Sequence, residues 1–410
     1  MGSSGKPVFL ESVSLDAHTE LVRLLQDEIQ KNGPIPFARF MEQALYHHQY
    51  GYYMSACEPV GTDGDYYTSV SVHPVFGERI AQQILQMADI LSMPLHLVEI
   101  GAGNGQLCSD ILKWIRKSAP EIYEGLRYEI VEKSPHRMRR QQHHLAQLFP
   151  NKLGWSSHMP EVPVGVVLSN ELVDAMPVHR LRIEGKDQTP QERYVHWNGA
   201  FEDLFAEPSS PRLLASMPHF DVSDGPVEIE ISLAATNWMR EIGAKLARGF
   251  VITIDYGDTE ERLYGPWRPK GTFLCYFRHQ ANDHPYRYIG HQDMTAHVNF
   301  SALSRAGREV GLLPLGFIDQ TRFLLGLGIG PCMEEYATHM ETSSEARRNF
   351  LAMKQLMSPT RMGGTFKVFI QGKNTPPDAI LDGLQYESFR PLSSQQSHKE
   401  EGTLGFPSGF

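Results

Sequence analysis

Apolar positions recur at helical spacing in the first part of the chain and become unbroken apolar runs further on, and that change divides the sequence. Leu15, Leu21, Leu24, Leu25 and Ile29 fall at helical intervals over residues 14–31, and Gly33-Pro34 stops the pattern. A second helix over 36–47 carries Phe37, Phe40, Met41, Ala44 and Leu45, and a third spans 73–91. From Leu95 onward, short apolar runs at 97–100, 128–132, 164–170 and 250–255 are separated by helical patterns at 106–117, 135–148 and 232–247. Apolar runs without polar alternation belong to strands buried on both faces, so the pattern predicts a parallel sheet with helices on either side. The last strand, 365–370, alternates only partly and suits an added edge position.

Two stretches break the alternation. Residues 178–230 hold short β-like pieces at 193–197 and 200–205 between Pro- and Ser-rich turns, and 258–310 is loop-like, rich in His, Tyr and Gly, before a helix near 300–310. Both read as insertions over the carboxyl edge of the sheet, where open α/β sheets bind their ligands. Residues 335–358 read as helical, and the polar stretch 374–410 as a solvated tail. The chain thus divides into an N-terminal helical region with a lid loop (1–72), an α/β domain with its two insertions (73–373) and the tail (374–410).

Between the strand 97–100 and the helix that starts at Gln106 lies Glu99-Ile100-Gly101-Ala102-Gly103-Asn104-Gly105. Alternating glycines between a strand and a helix let a ligand approach bare backbone beside the unpaired N–H groups of a helix start. The loop therefore reads as a nucleotide-like cofactor site. A dinucleotide fingerprint would place glycine at position 106, which is Gln106. The acid able to grip ribose hydroxyls is Glu132, at the end of the next strand. Its separation from Gly101 exceeds the ~20 residues of a compact dinucleotide fold. The other reading of Glu132 is a strand-end carboxylate paired with Lys133 or Arg137.

Several longer segments occur in order with this loop: Gly33-Pro34-Ile35-Pro36-Phe37, Gly51-Tyr52-Tyr53, Gly64-Asp65-Tyr66-Tyr67-Thr68-Ser69, Phe76-Gly77-Glu78, Ser169-Asn170-Glu171-Leu172-Val173-Asp174-Ala175-Met176-Pro177-Val178, Asp255-Tyr256-Gly257 and Met362-Gly363-Gly364-Thr365-Phe366-Lys367. With the Glu-x-Gly-x-Gly-x-Gly loop they resemble the MidA family of class I S-adenosylmethionine-dependent methyltransferases, over about residues 20–372. The resemblance implies a Rossmann-like seven-stranded sheet with N-terminal helices and an inserted, largely helical substrate region. It implies S-adenosyl-L-methionine as cofactor, held by Glu99, Gly101, Gly103, Gly105, Glu132 and Asn170. It also places the segment with Tyr67, Thr68 and Ser69 over the methionine end of that donor. The implied activity is protein arginine methylation; in mitochondrial members this means symmetric dimethylarginine on a respiratory complex I (NADH dehydrogenase) subunit during assembly. The oligomeric state stays open between monomer and homodimer.

The residues themselves suit that chemistry. Methyl transfer from a sulfonium needs a positioned donor and nucleophile rather than a covalent residue or a metal. Asn170, Glu171 and Asp174 follow the fourth strand at the carboxyl edge. A carboxylate there can accept the planar donors of a guanidinium and draw its charge to one side, so Glu171, Asp174 and Asn170 are the catalytic candidates. The alternatives are a helix N-cap for Asp174 and a partner of Arg180 or Arg182 for Glu171. Tyr50, Tyr52 and Tyr53 read as packing for the N-terminal helices, with lining of the arginine's approach as the alternative, Asp255 and Tyr256 as bordering the pocket, and Glu228 and Glu230 as added negative charge. His279, His284, His291 and His297 match no zinc spacing.

Composition narrows the classes further. A net charge of −10 with no Lys/Arg-rich run disfavours nucleic acid as partner. No apolar run approaches the ~20 residues of a membrane span. Cys57, Cys108, Cys275 and Cys332 form no Cys-x-x-Cys and read as free thiols of a reducing compartment. The first residues show neither an apolar signal core nor an Arg-rich presequence, and Lys6 departs from the myristoylation pattern, so a cytoplasmic location is expected. The rival classes are a non-catalytic assembly or binding factor on the same scaffold, a nicotinamide-dependent oxidoreductase, and an RNA or small-molecule methyltransferase.

Overall fold

The computed structural model describes residues 18–55, 69–92, 94–185, 189–218, 226–359 and 362–386. Seven strands form its central sheet: β1 His96–Ile100, β2 Arg127–Val131, β3 Leu153–Ser156, β4 Val162–Asn170, β5 Leu246–Asp258, β6 Leu313–Asp319 and β7 Phe366–Lys373. Their spatial order is β6-β7-β5-β4-β1-β2-β3, and Val298–Asn299 adds a short parallel pairing beside β5. Strands β1 to β5 run parallel, whereas β7 is antiparallel to both β5 and β6. The reversal of strand order between β1 and β4 opens the crevice at their carboxyl ends where α/β sheets take ligands.

The apolar runs sit where the pattern put them. Val166 and Leu168 of β4, Phe250, Ile252 and Ile254 of β5, and Leu97 of β1 share one core with the helix Val75–Leu91, whose Phe76, Ile80, Ile84 and Met87 are fully buried. The opposite face of the sheet, with Val98, Val167 and Val251, packs on the helices Leu233–Lys245 and Phe300–Arg308.

Three expectations need correction. The strand 365–370 is an interior member of the sheet, and the edge belongs to β6. That strand carries Pro314 and Gly316 and a register shift between them, a composition that weakens any strand signal and is tolerated at an edge. The inserted region is built of strands rather than being largely helical. His179–Ile183, Gln191–Trp197, Phe201–Ala206 and Val227–Ile231 form an antiparallel sheet with Ile35–Pro36. Leu274–Phe277, Gln280–Asn282 and Asp293–Thr295 form a smaller one. The N-terminal helices Thr19–Asn32 and Phe37–Tyr46 pack on this second core, through Leu21, Phe37 and Phe40 against Val195, Phe273 and Cys275. Finally, the described start of the tail is docked. Leu381 is fully buried, and Gly383 donates its N–H to Gln83 Oε1 at 3.0 Å. No helix among the described residues is long and apolar enough to cross a membrane.

Candidate functional site

At the carboxyl ends of β1, β2 and β4 lies a cavity of about 560 Å³, inside the ~300–1,000 Å³ range of small-molecule and cofactor sites. After β1 the chain turns through Gly101 (φ 74°), Gly103 (φ 55°) and Gly105 (φ 83°), three left-handed positions that only glycine adopts without strain. The three do different things. A Cβ on Gly101 would lie 2.7 Å from Leu172 Cδ1, and one on Gly105 2.7 Å from Leu145 Cδ1, so both are closed by packing. Among the described residues, a Cβ on Gly103 would meet nothing within 4 Å. Gly101, Ala102, Gly103 and Asn104 all line the cavity, and Gly105 is not among its lining residues. Asn104 Oδ1 accepts the N–H of Gln106 at 3.0 Å and closes the first turn of the helix Gln106–Ser118.

Glu132 stands at the end of β2, 7 % exposed and bordering the cavity. Its Oε1 accepts the N–H of Ser134 at 2.8 Å, and its Oε2 accepts from Gln141 Nε2 at 3.3 Å. Gln141 Nε2 also donates to Gly103 O at 2.9 Å, so one amide ties the acid to the glycine loop. Arg137 lies close enough to favour the ionised form, while burial pushes the carboxyl up. Glu99 also lines the cavity. It accepts the Tyr128 hydroxyl at 2.8 Å, and burial pushes its carboxyl up to about 7.

Asn170 and Glu171 reach the cavity from the end of β4. Glu171 has φ 51°, a left-handed conformation unusual for a residue with a side chain, and its N–H is held by Ile254 O at 2.9 Å. Its Oε1 accepts Ser69 N at 2.8 Å and Asn170 Nδ2 at 3.1 Å. Burial pushes its carboxyl up to about 8. Asn170 Oδ1 is buried without a hydrogen-bond partner among the described residues. Neither Arg180 nor Arg182 pairs with Glu171; they are taken by Glu228 and Glu184.

The other predicted positions lie elsewhere. Asp174 is buried behind the cavity wall and is not among its lining residues. It sits beside the Tyr256 hydroxyl, its carboxyl raised by burial to about 6, and no helix starts after it. Ser69 is fully buried, with its hydroxyl on Gln320 Oε1 at 3.2 Å, and it meets the site through the N–H given to Glu171. Tyr67 and Thr68 lie outside the described residues. Glu230 is bound by the N–H groups of Thr272 and Phe273, and Glu228 pairs with Arg180 and Arg193; neither reaches the cavity.

Sequence reasoning placed Asp255 only at the border of the pocket, where it is not among the lining residues, and missed that it shapes the loop. Asp255 Oδ2 accepts the N–H groups of Leu172, Val173 and Asp174 at 3.1, 2.8 and 3.3 Å, which fixes the backbone that presents Glu171. It also missed the far walls. Trp238, Asn237 and Glu241 enter from the helix Leu233–Lys245, and Ser157, His158 and Met159 from the loop after β3. Tyr50 and Tyr52 pack within the N-terminal core, but Tyr53 lines the cavity with Tyr46. Their rings stack at 5.5 Å, the Tyr53 hydroxyl donates to Asp293 Oδ1 at 2.7 Å, and the Arg137 guanidinium lies 4.9 Å over the Tyr53 ring. Among the described residues no three His, Cys, Asp or Glu side chains gather as a metal site.

These acids predict a pH response. Glu99, Glu171 and Asp293 have carboxyls raised by burial to about 7, 8 and 7, so the folded protein binds protons that the unfolded chain has released. Stability then falls as pH rises through those values. His96, His291 and His297 are shifted down by desolvation and stay neutral in both states above about pH 7, so they do not oppose the trend. Thermal melts of the unliganded protein should give a lower Tm at about pH 9 than at about pH 7. A flat profile would contradict the burial of these groups.

Comparisons with known proteins agree with this geometry. A family model described as S-adenosyl-L-methionine-dependent methyltransferase matches residues 79–318. The chain is 27% identical to the protein arginine methyltransferase NDUFAF7, mitochondrial, of Danio rerio, covering 93% of each protein. It is 26% identical to the Homo sapiens protein of the same name, over 90% of this chain and 86% of that one. A Burkholderia thailandensis crystal structure bound to S-adenosyl-homocysteine superposes with a TM-score of 0.81 at 31% identity, covering 93% of this chain and 98% of that one.

Proposed function

The chain belongs to the S-adenosyl-L-methionine-dependent methyltransferase family, and from that premise we propose that it transfers methyl groups to arginine side chains of a protein partner. Three features of this chain fit the adenosyl donor. Gly103 leaves open space, Glu132 offers a fixed carboxylate beside it, and the buried Asn170 Oδ1 and Trp238 Nε1 at the wall lack partners among the described residues. Glu132 would hold the ribose hydroxyls, with Ser157, His158 and Met159 bordering the same end, since Glu132 N bonds Ser156 O at 2.9 Å. When bound, S-adenosylmethionine supplies an electrophilic methyl group on a good leaving group.

The observation that carries the arginine reading is Glu171, a carboxyl presented to the cavity beside the glycine loop. Its Oε1 is committed to Ser69 and Asn170, so Oε2 is the oxygen left for a guanidinium N–H. A nitrogen that gains a methyl must lose a proton. With its carboxyl near neutrality, Glu171 can take that proton on Oε2. We take the natural target to be a subunit of a respiratory NADH dehydrogenase, and the location to be cytoplasmic, with the separate thiols in a reducing compartment; the matched curated relatives are mitochondrial by name. Incubation with methyl-labelled donor and the cell's proteome, followed by mass spectrometry, should find the label on protein arginine. Label confined to RNA or to small molecules would overturn the proposal.

Glu132→Gln should weaken binding of S-adenosylhomocysteine by about 10- to 100-fold in calorimetry, the loss of hydrogen bonds to a charged acceptor worth ~1.5–3 kcal/mol. Unchanged affinity would remove Glu132 from the donor site.

A further inference from the structure

We propose that the outer face of the helix Pro135–Leu148 is a docking surface for an acidic segment of the protein substrate. This rests on the reading that the substrate is a protein. Residues 133–160 contain no Asp or Glu, in a chain that holds 48 of them among 410 residues. Within that stretch His136, Arg139, Arg140, His143 and His144 fall at i, i+3, i+4, i+7 and i+8, the spacing that puts side chains on one stripe of a helix. That spacing usually marks a core-facing apolar stripe. Here the stripe is exposed and lines a shallow depression, and the helix buries Gln141 and Leu145 on its other side.

Arg139 donates to His136 Nδ1 at 3.2 Å, a neighbour that brings no negative charge. The i, i+4 neighbours of Arg139 and Arg140 on this helix are His143, His136 and His144, so no acidic residue of the helix faces either arginine. The position of the stripe fits a docking role. Ser134 and Arg137 of the same first turn line the cavity, so the stripe leads away from the cavity rim along the helix. A carboxylate-rich segment flanking the target arginine could lie along it while the arginine enters. The cavity that the stripe leads from is read as taking a protein arginine, so an acidic segment of that same protein, rather than RNA, is the occupant that fits.

The test is fluorescence anisotropy with a labelled Glu-rich peptide that lacks arginine, beside the same peptide with Gln for Glu. The full-length protein should bind the Glu peptide in preference to the Gln peptide, and the double variant Arg139→Glu/Arg140→Glu should bind it about tenfold or more weakly, with added salt reducing the wild-type affinity. His143→Glu/His144→Glu, one to two turns further from the cavity, is expected to weaken binding in the same direction. Both variants should keep the wild-type Tm and the wild-type affinity for S-adenosylhomocysteine. Equal binding of the two peptides, insensitivity to both charge reversals, or displacement of the Glu peptide by a single-stranded RNA in preference would overturn the proposal. If the peptide binds as expected but no protein arginine takes up label, the docking surface stands and the arginine reading falls.

Discussion

Gly103→Val should reduce donor binding below detection, a loss of more than about 100-fold, while the protein stays folded. Backbone strain and lost space act separately at this position. At φ 55° a β-branched residue is strained by roughly 1–2 kcal/mol, which a domain of this size tolerates with a Tm a few degrees lower. Gly103 lines the cavity that Glu132 and Asn170 border, and among the described residues a Cβ there would meet nothing within 4 Å, so the added bulk is expected to compete with the cavity's ligand rather than with the protein's packing. Binding should then suffer far more than folding. Gly101→Ala and Gly105→Ala make the contrast. Their Cβ atoms would press on Leu172 and Leu145, so those variants should lose stability first and affinity only as a consequence. Calorimetry with S-adenosylhomocysteine beside a thermal melt reads both quantities. A Gly103→Val protein that binds normally would show that the open space at this position is not the donor's.

The glycine case also shows how far a sequence carries. That the loop turns sharply between a strand and a helix was legible, because three alternating glycines after an apolar run have few other uses. Which of them faces a ligand was not, because Leu172 and Leu145 arrive from distant parts of the chain. The parallel strands were legible as unbroken apolar runs buried on both faces. Two were missed: β3, of four residues including Gly154, and β6, with Pro314 and Gly316, since neither has enough consecutive β-formers to stand out. The helical content implied for the insertion failed for a related reason. Its strands are partly exposed and interrupted, and they gain their burial from the N-terminal helices through Val195 and Phe273. Glu132 and Glu171 were readable from their positions after apolar strands. Asp255 was read only as a neighbour of the pocket, because its work is done on backbone N–H groups more than eighty positions away. The contact between Arg137 and Tyr53 was not legible, because it joins two parts of the chain that share no pattern.

Glu171→Gln should slow methyl transfer by about 10²–10³-fold, with donor affinity unchanged, since it removes a charge that acts on the reacting group and leaves the donor's contacts in place. Glutamine keeps an oxygen for Ser69 N, so the loop that Asp255 clamps has no reason to move. What it loses is the negative charge facing the guanidinium and the base for the departing proton. The same change should raise the stability of the unliganded protein above about pH 8, because the wild-type fold must hold a buried, ionised carboxylate there and the amide need not. Activity and stability then move in opposite directions, which a residue kept for packing would not do. A left-handed backbone at a side-chain-bearing position points the same way, since glycine would relieve it and the chain uses glutamate. Initial rates at saturating donor, with melts at two pH values, measure both halves. An active Glu171→Gln enzyme would transfer the role of holding the guanidinium to another acid, and Asp174 would then have to act through the wall rather than in the cavity.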